Sequence, residues 1–78
     1  MANGRLMGVY RGVVVNSGDP MKSGRVQVQV PAAGVPATWA PVCVSGAPGG
    51  PSVGPGTQVV VGFENGDAAY PIVLGRLP

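Results

Sequence analysis

The chain has 78 residues with 45% hydrophobic and only 10% charged side chains, 14 glycines and 9 prolines, and a net charge of +2. That length allows one domain, and a domain this small buries only a modest share of its surface. With no histidine, one cysteine and three carboxylates, the chain is expected to hold no metal, no cofactor and no internal disulfide, so association with other chains is the expected added support.

Charge and targeting narrow the classes further. Ordinary soluble domains are roughly 25% charged, and a charge-poor, Gly/Pro-rich surface suits a subunit held inside an assembly. A net charge of +2 is too small to argue for nucleic acid. No apolar run approaches the roughly 20 residues of a membrane helix, so no direct membrane insertion is expected. The start, MANGRLMG, lacks the pattern of a signal peptide. Synthesis in a cytoplasm is therefore expected, with Cys43 reduced.

No window repeats apolar residues at helical spacing, and five β runs follow one another. The N-terminal segment, residues 1–7, carries no structure signal and is expected to be flexible. The first run is 8–16, GVYRGVVVN. Next comes NSGDPMKSG, a turn-rich hairpin in which Pro20 presets a backbone dihedral. The second run, 24–30, ends in VQVQV before Pro31. Its alternation puts Val26, Val28 and Val30 on one face and Gln27 and Gln29 on the other. A free surface strand would more usually carry Lys, Glu or Thr. Glutamine donates and accepts without charge, which suits a face that is wet in the free chain and packs against protein later.

The third run is 39–44, WAPVCV. The segment after it, SGAPGGPSVGPG at 45–56, is Gly and Pro apart from Ser45, Ala47, Ser52 and Val53. It reads as a long loop. The fourth run is 57–63, TQVVVGF, followed by ENGD, in which Asn65-Gly66 is a strong hairpin signal. The fifth is 71–76, PIVLGR. Gly12 and Gly62 lie inside apolar runs, where glycine often marks a bulge or bend. Five short strands with such bends predict an all-β fold, a small five-stranded antiparallel Greek-key barrel of the OB type. Residues 1–78 form one such domain on this reading. Trp39 and Phe63 are expected in its core. Arg25 and Asp67 are expected to pair across the barrel end.

Catalysis has little to work with. There is no histidine for acid–base chemistry. Cys43 sits in apolar PVCVS without a His partner. GAPGGPSVGPG lacks the Lys-Ser/Thr of a phosphate loop. No enzymatic activity is expected.

Taken in order, GVYRGVVVNSGDPMKSGRVQVQVP, WAPVCV and SVGPGTQVVVGFENGDAAYPIVLGRL resemble the OB-fold domain of phage baseplate hub and tail-spike proteins, a family that includes the VgrG proteins of type VI secretion. The resemblance spans roughly residues 8–77. It rests on Asp19, Pro20, Gly24, Arg25, Pro31, Trp39, Gly56, Phe63, Gly66, Asp67, Pro71 and Gly75, each of which also has an ordinary fold-maintaining job. Family members often continue into a lysozyme domain or a β-helical spike, whereas this sequence stops at LGRLP, so neither activity is carried over.

The resemblance implies a virion structural protein of a phage tail, made in the host cytoplasm. It implies a homo-oligomer, commonly a trimer, linking a tail hub protein to a separate spike protein. The candidate interface is Gln27 and Gln29 with Ser45, Gly46, Pro48, Gly49, Gly50 and Pro51 of the loop. The alternative is a single-stranded nucleic-acid-binding OB module, which stacks bases on aromatics in a basic groove. The arginines and the lysine are scattered here without a basic run, so no nucleic acid partner is expected.

Overall fold

A computed structural model describes residues 5–43 and 53–78. Residues 1–4 and most of the expected loop, including Ser45, Gly46, Pro48, Gly49, Gly50 and Pro51, lie outside the described residues. The described chain forms one antiparallel sheet from β1 (Tyr10–Asn16), β2 (Val26–Val30), β3 (Val35–Ala40), β4 (Gln58–Phe63) and β5 (Pro71–Arg76). Their order across the sheet is β3-β2-β1-β4-β5.

Period-two alternation builds the core. Val14, Val26, Val28, Val30, Val35, Ala40, Val59, Val61, Phe63 and Val73 all turn inward and are buried. β-Branched side chains pack well on a pleated surface, and each fully buried valine contributes about 1.5–3 kcal/mol. Tyr10 meets Phe63 edge to face, with ring centroids 5.5 Å apart at 70°.

The sheet curls into a half-barrel. Register shifts between Val14 and Asn16, Val28 and Val30, and Val60 and Val61 each add twist. At Gly12 β1 runs so close to its neighbours that an added Cβ would lie 2.9 Å from the Gln29 carbonyl oxygen and 3.1 Å from Val61 Cγ2. The two sheet edges approach where Val42 bridges Val73 in parallel. There Cys43 N–H donates to the Val73 carbonyl and Val73 N–H to the Pro41 carbonyl, both at 2.9 Å.

One expectation changes, and two segments make contacts the sequence did not signal. The third strand is Val35–Ala40, not 39–44. A 3-10 turn at Pro31–Ala33, closed by Gly34 in the left-handed region, returns the chain early. Pro41, lacking an N–H, then ends pairing with β2. Pro36 is tolerated because β3 is an edge. Val53, assigned to the loop, is buried in the core. Residues 5–7 lie against the β4–β5 turn, where Leu6 N–H donates to the Gly66 carbonyl at 2.9 Å and Arg5 Nη1 to the Asn65 carbonyl at 2.8 Å.

Candidate interaction surface

The side chains that alternate with the core form the outer face of the sheet. Gln27 is half-buried and Gln29 exposed. Register places Trp39 of β3 directly opposite Gln27, and Gln27 opposite Asn16 of β1. One step along, Gln29 lies opposite Val13, and Val13 opposite Gln58 of β4. Directly opposed residues have Cβ atoms about 4.5–5.5 Å apart, so Gln29, Val13 and Gln58 make one lateral row without charge across three strands. Leu74 of β5, 47% exposed, covers Gly62 from outside, its Cδ1 3.3 Å from where a Cβ would stand.

Beside this row lies an apolar groove of about 340 Å³. Arg11, Val13 and Gln58 border it from the strands, Pro31 and Ala32 from the turn after β2, and Gly12 at its base.

The corner of the face next to Trp39 is set by the β1–β2 loop. Asp19 Oδ1 accepts from Met21 N–H at 2.9 Å and Arg25 Nη2 at 2.8 Å. Its Oδ2 accepts from the Ser23 hydroxyl at 2.7 Å, Ser23 N–H at 3.1 Å, Arg25 N–H at 3.1 Å and Arg25 Nε at 3.0 Å. The Asp19 side chain is 3% exposed. The Arg25 guanidinium foremost, then the bonds from Ser23, Met21 N–H and Arg25 N–H, hold its carboxyl far below the usual carboxylate range against the opposing effect of burial. Asp19 in turn raises the Arg25 pKa above its ordinary value. Arg25 then lays its Cζ 5.5 Å from the centre of the Trp39 ring.

Two expectations are corrected here. Arg25 pairs with Asp19, not Asp67. The β1–β2 loop and the β4–β5 turn lie at opposite ends of the strands, because Asn16 pairs near one end of β1 and Tyr10 pairs with Val61 near the other. Asp67 instead accepts Ala69 N–H at 2.9 Å within its own turn. Trp39 is half-buried on the outer face rather than in the core. Its neighbour Ala40 points inward opposite Val26, and alternation sends Trp39 outward.

The motif residues gather at two ends, not in one site. Asp19, Pro20, Gly24, Arg25 and Trp39 surround the β1–β2 loop, joined by Gly56, whose N–H donates to the Val14 carbonyl at 2.7 Å. Phe63, Gly66, Asp67 and Pro71 surround the β4–β5 turn. Gly66 takes φ +73 there, the left-handed region that glycine adopts without strain. Pro31 begins the 3-10 turn and is exposed. Gly75 lies opposite Val60 at a register shift. Sequence reasoning missed Val13, Gln58 and the groove. Gln58 carried the same signal as Gln27 and Gln29, an uncharged polar residue in an apolar strand.

A family model of the type VI secretion system/phage-baseplate injector OB domain matches residues 10–77, from the first residue of β1 to just past β5. No curated protein matches the chain.

Proposed function

The chain belongs to the type VI secretion system/phage-baseplate injector OB-domain family, and from that membership we propose that it is the subunit linking a tail hub protein to a separate spike protein. Membership gives it a structural role in a baseplate or spike, exercised through protein–protein assembly in a phage tail or a related injection machine. On the proposed reading it is a closed Greek-key barrel, made in the host cytoplasm and assembled as a homotrimer around the tail axis. It carries out no catalysis.

The observation that carries this reading is the uncharged row Gln29–Val13–Gln58 on the outer sheet face. Packing such a row against a partner removes apolar area from water, and glutamine amides find new hydrogen-bond partners without the desolvation cost of a buried charge. The test is to tag the chain, purify assembled tails, and locate it by mass spectrometry and immunogold labelling. The tag is expected at the hub–spike junction; tails that assemble without the chain would end the reading.

One observation favours a second reading. Trp39 lies on the outer face of β3 with Arg25, the residue before β2, against its ring, and the face of strands 2 and 3 is where OB-folds bind oligonucleotides. Trp39 is the only tryptophan, so its fluorescence reports on that face alone. Salt-sensitive quenching by oligo-dT would support nucleic-acid binding, and unchanged emission would dismiss it.

A further inference from the structure

The chain has three side-chain carboxylates, and two have work inside the fold. Asp19 is enclosed by its loop and by Arg25. Asp67 Oδ1 accepts Ala69 N–H. Glu64 is exposed, and among the described residues its side chain makes no hydrogen bond or ion pair. On the cationic side, Arg11 is exposed at the rim of the apolar groove and pairs with no carboxylate among the described residues. It pairs with Val60 on β4. Glu64 lies four residues further on, roughly 13 Å at the rise of an extended strand, and no ion pair joins it to Arg11 among the described residues.

We propose that the groove at Arg11 is the docking site for a second copy of this chain, and that it receives the β4–β5 turn, with Glu64 facing Arg11 and Tyr70 against Val13, Pro31 and Ala32. Three observations converge on this occupant. The charges are complementary, and among the described residues Glu64 is the one side-chain carboxylate without a partner. The groove walls are apolar, and Tyr70, 59% exposed, borders the same hollow as Glu64, so charge and ring are presented together. A tyrosine has about 150–250 Å² to bury. Arg5 is bonded to the Asn65 carbonyl and, among the described residues, makes no ion pair with either carboxylate on that turn.

The contact joins two different patches, so copies pack head to tail, as a ring does when the rotation closes. The inference rests on the reading of the chain as an assembling subunit and supplies the residues of the self-contact.

The experiment is light scattering over a concentration series on the wild type, R11E, E64R and the double variant R11E/E64R. The wild type is expected to associate. Each single reversal sets like charges together and is expected to weaken association roughly a hundredfold. The double variant restores opposite charges and is expected to recover it, while Y70A loses it without any charge change. A monomeric wild type at every concentration, single variants that associate like the wild type, or a double variant that stays dissociated would each overturn the proposal. None of these bears on whether the chain is found in assembled tails, so failure of the self-contact is distinguishable from failure of the functional reading.

Discussion

Arg25 grips Asp19 through two parallel bonds, Nε to Oδ2 at 3.0 Å and Nη2 to Oδ1 at 2.8 Å. The fork geometry of a guanidinium matches a carboxylate in this way, and lysine cannot reproduce it. The same guanidinium covers Trp39. One ion pair therefore holds the β1–β2 loop and orients the largest side chain of the outer face.

This pair makes stability depend on acid. The folded Asp19 carboxyl has its pKa lowered from the ordinary 3.8, so the unfolded chain binds its proton first. The contribution is fully present above that ordinary value and is lost as pH falls from there toward the folded value. Denaturant midpoints measured from pH 6 down to pH 2 are expected to fall for the wild type below about pH 4. In Asp19→Asn the same curve is expected to start lower and run flatter in that range.

Gly12 is a test of close approach. A methyl group there meets the Gln29 carbonyl at 2.9 Å and Val61 at 3.1 Å, and both neighbours are held in the sheet. Gly12→Ala is expected to destabilise by about 1–3 kcal/mol, read as a lower urea midpoint at unchanged slope. An unchanged midpoint would mean that β1 and β2 are further apart than described.

Trp39 and Phe63 separate surface from core. Phe63→Ala removes a buried ring packed on Tyr10 and is expected to cost about 3–5 kcal/mol. Trp39→Ala is expected to cost less than half as much, since the stack it loses contributes about 0.5–1 kcal/mol at an exposed site. Equal losses in chemical denaturation would return Trp39 to the core.

Gln27→Lys and Gln29→Lys address the outer face. Surface substitutions of this kind change stability by no more than about 0.5 kcal/mol. Both variants are expected to fold normally, by circular dichroism and denaturation, yet to fall out of assembled tails, because a buried unpaired ammonium opposes packing. Incorporation at wild-type levels would show that this face meets no partner.

Much of the fold is legible in the chain itself, and the reason is locality. VQVQV can be a strand with only one apolar face, since alternation is a property of neighbouring residues. The Asp19-Pro20 turn is likewise local: Lys22 N–H closes on the Asp19 carbonyl at 3.0 Å, three residues back. Asn65 and Gly66 both take positive φ, as the ENGD signal requires. Other features depend on partners distant in sequence. Val53 looks like loop because its neighbours are Gly and Pro, and only the curled sheet offers it a place in the core. Trp39 faces outward because β3 starts early and its register with β2 sets the parity of every side chain on it. On paper Arg25 matches Asp67, but strand direction puts Asp67 at the far end and Asp19 within reach. The sequence by itself determined four of the five strands, the turns after β1 and β4, and that one face of β2 would be uncharged. Only the tertiary structure decided which residues stand beside those glutamines, because register and curl are settled by pairing across the sheet and not along the chain.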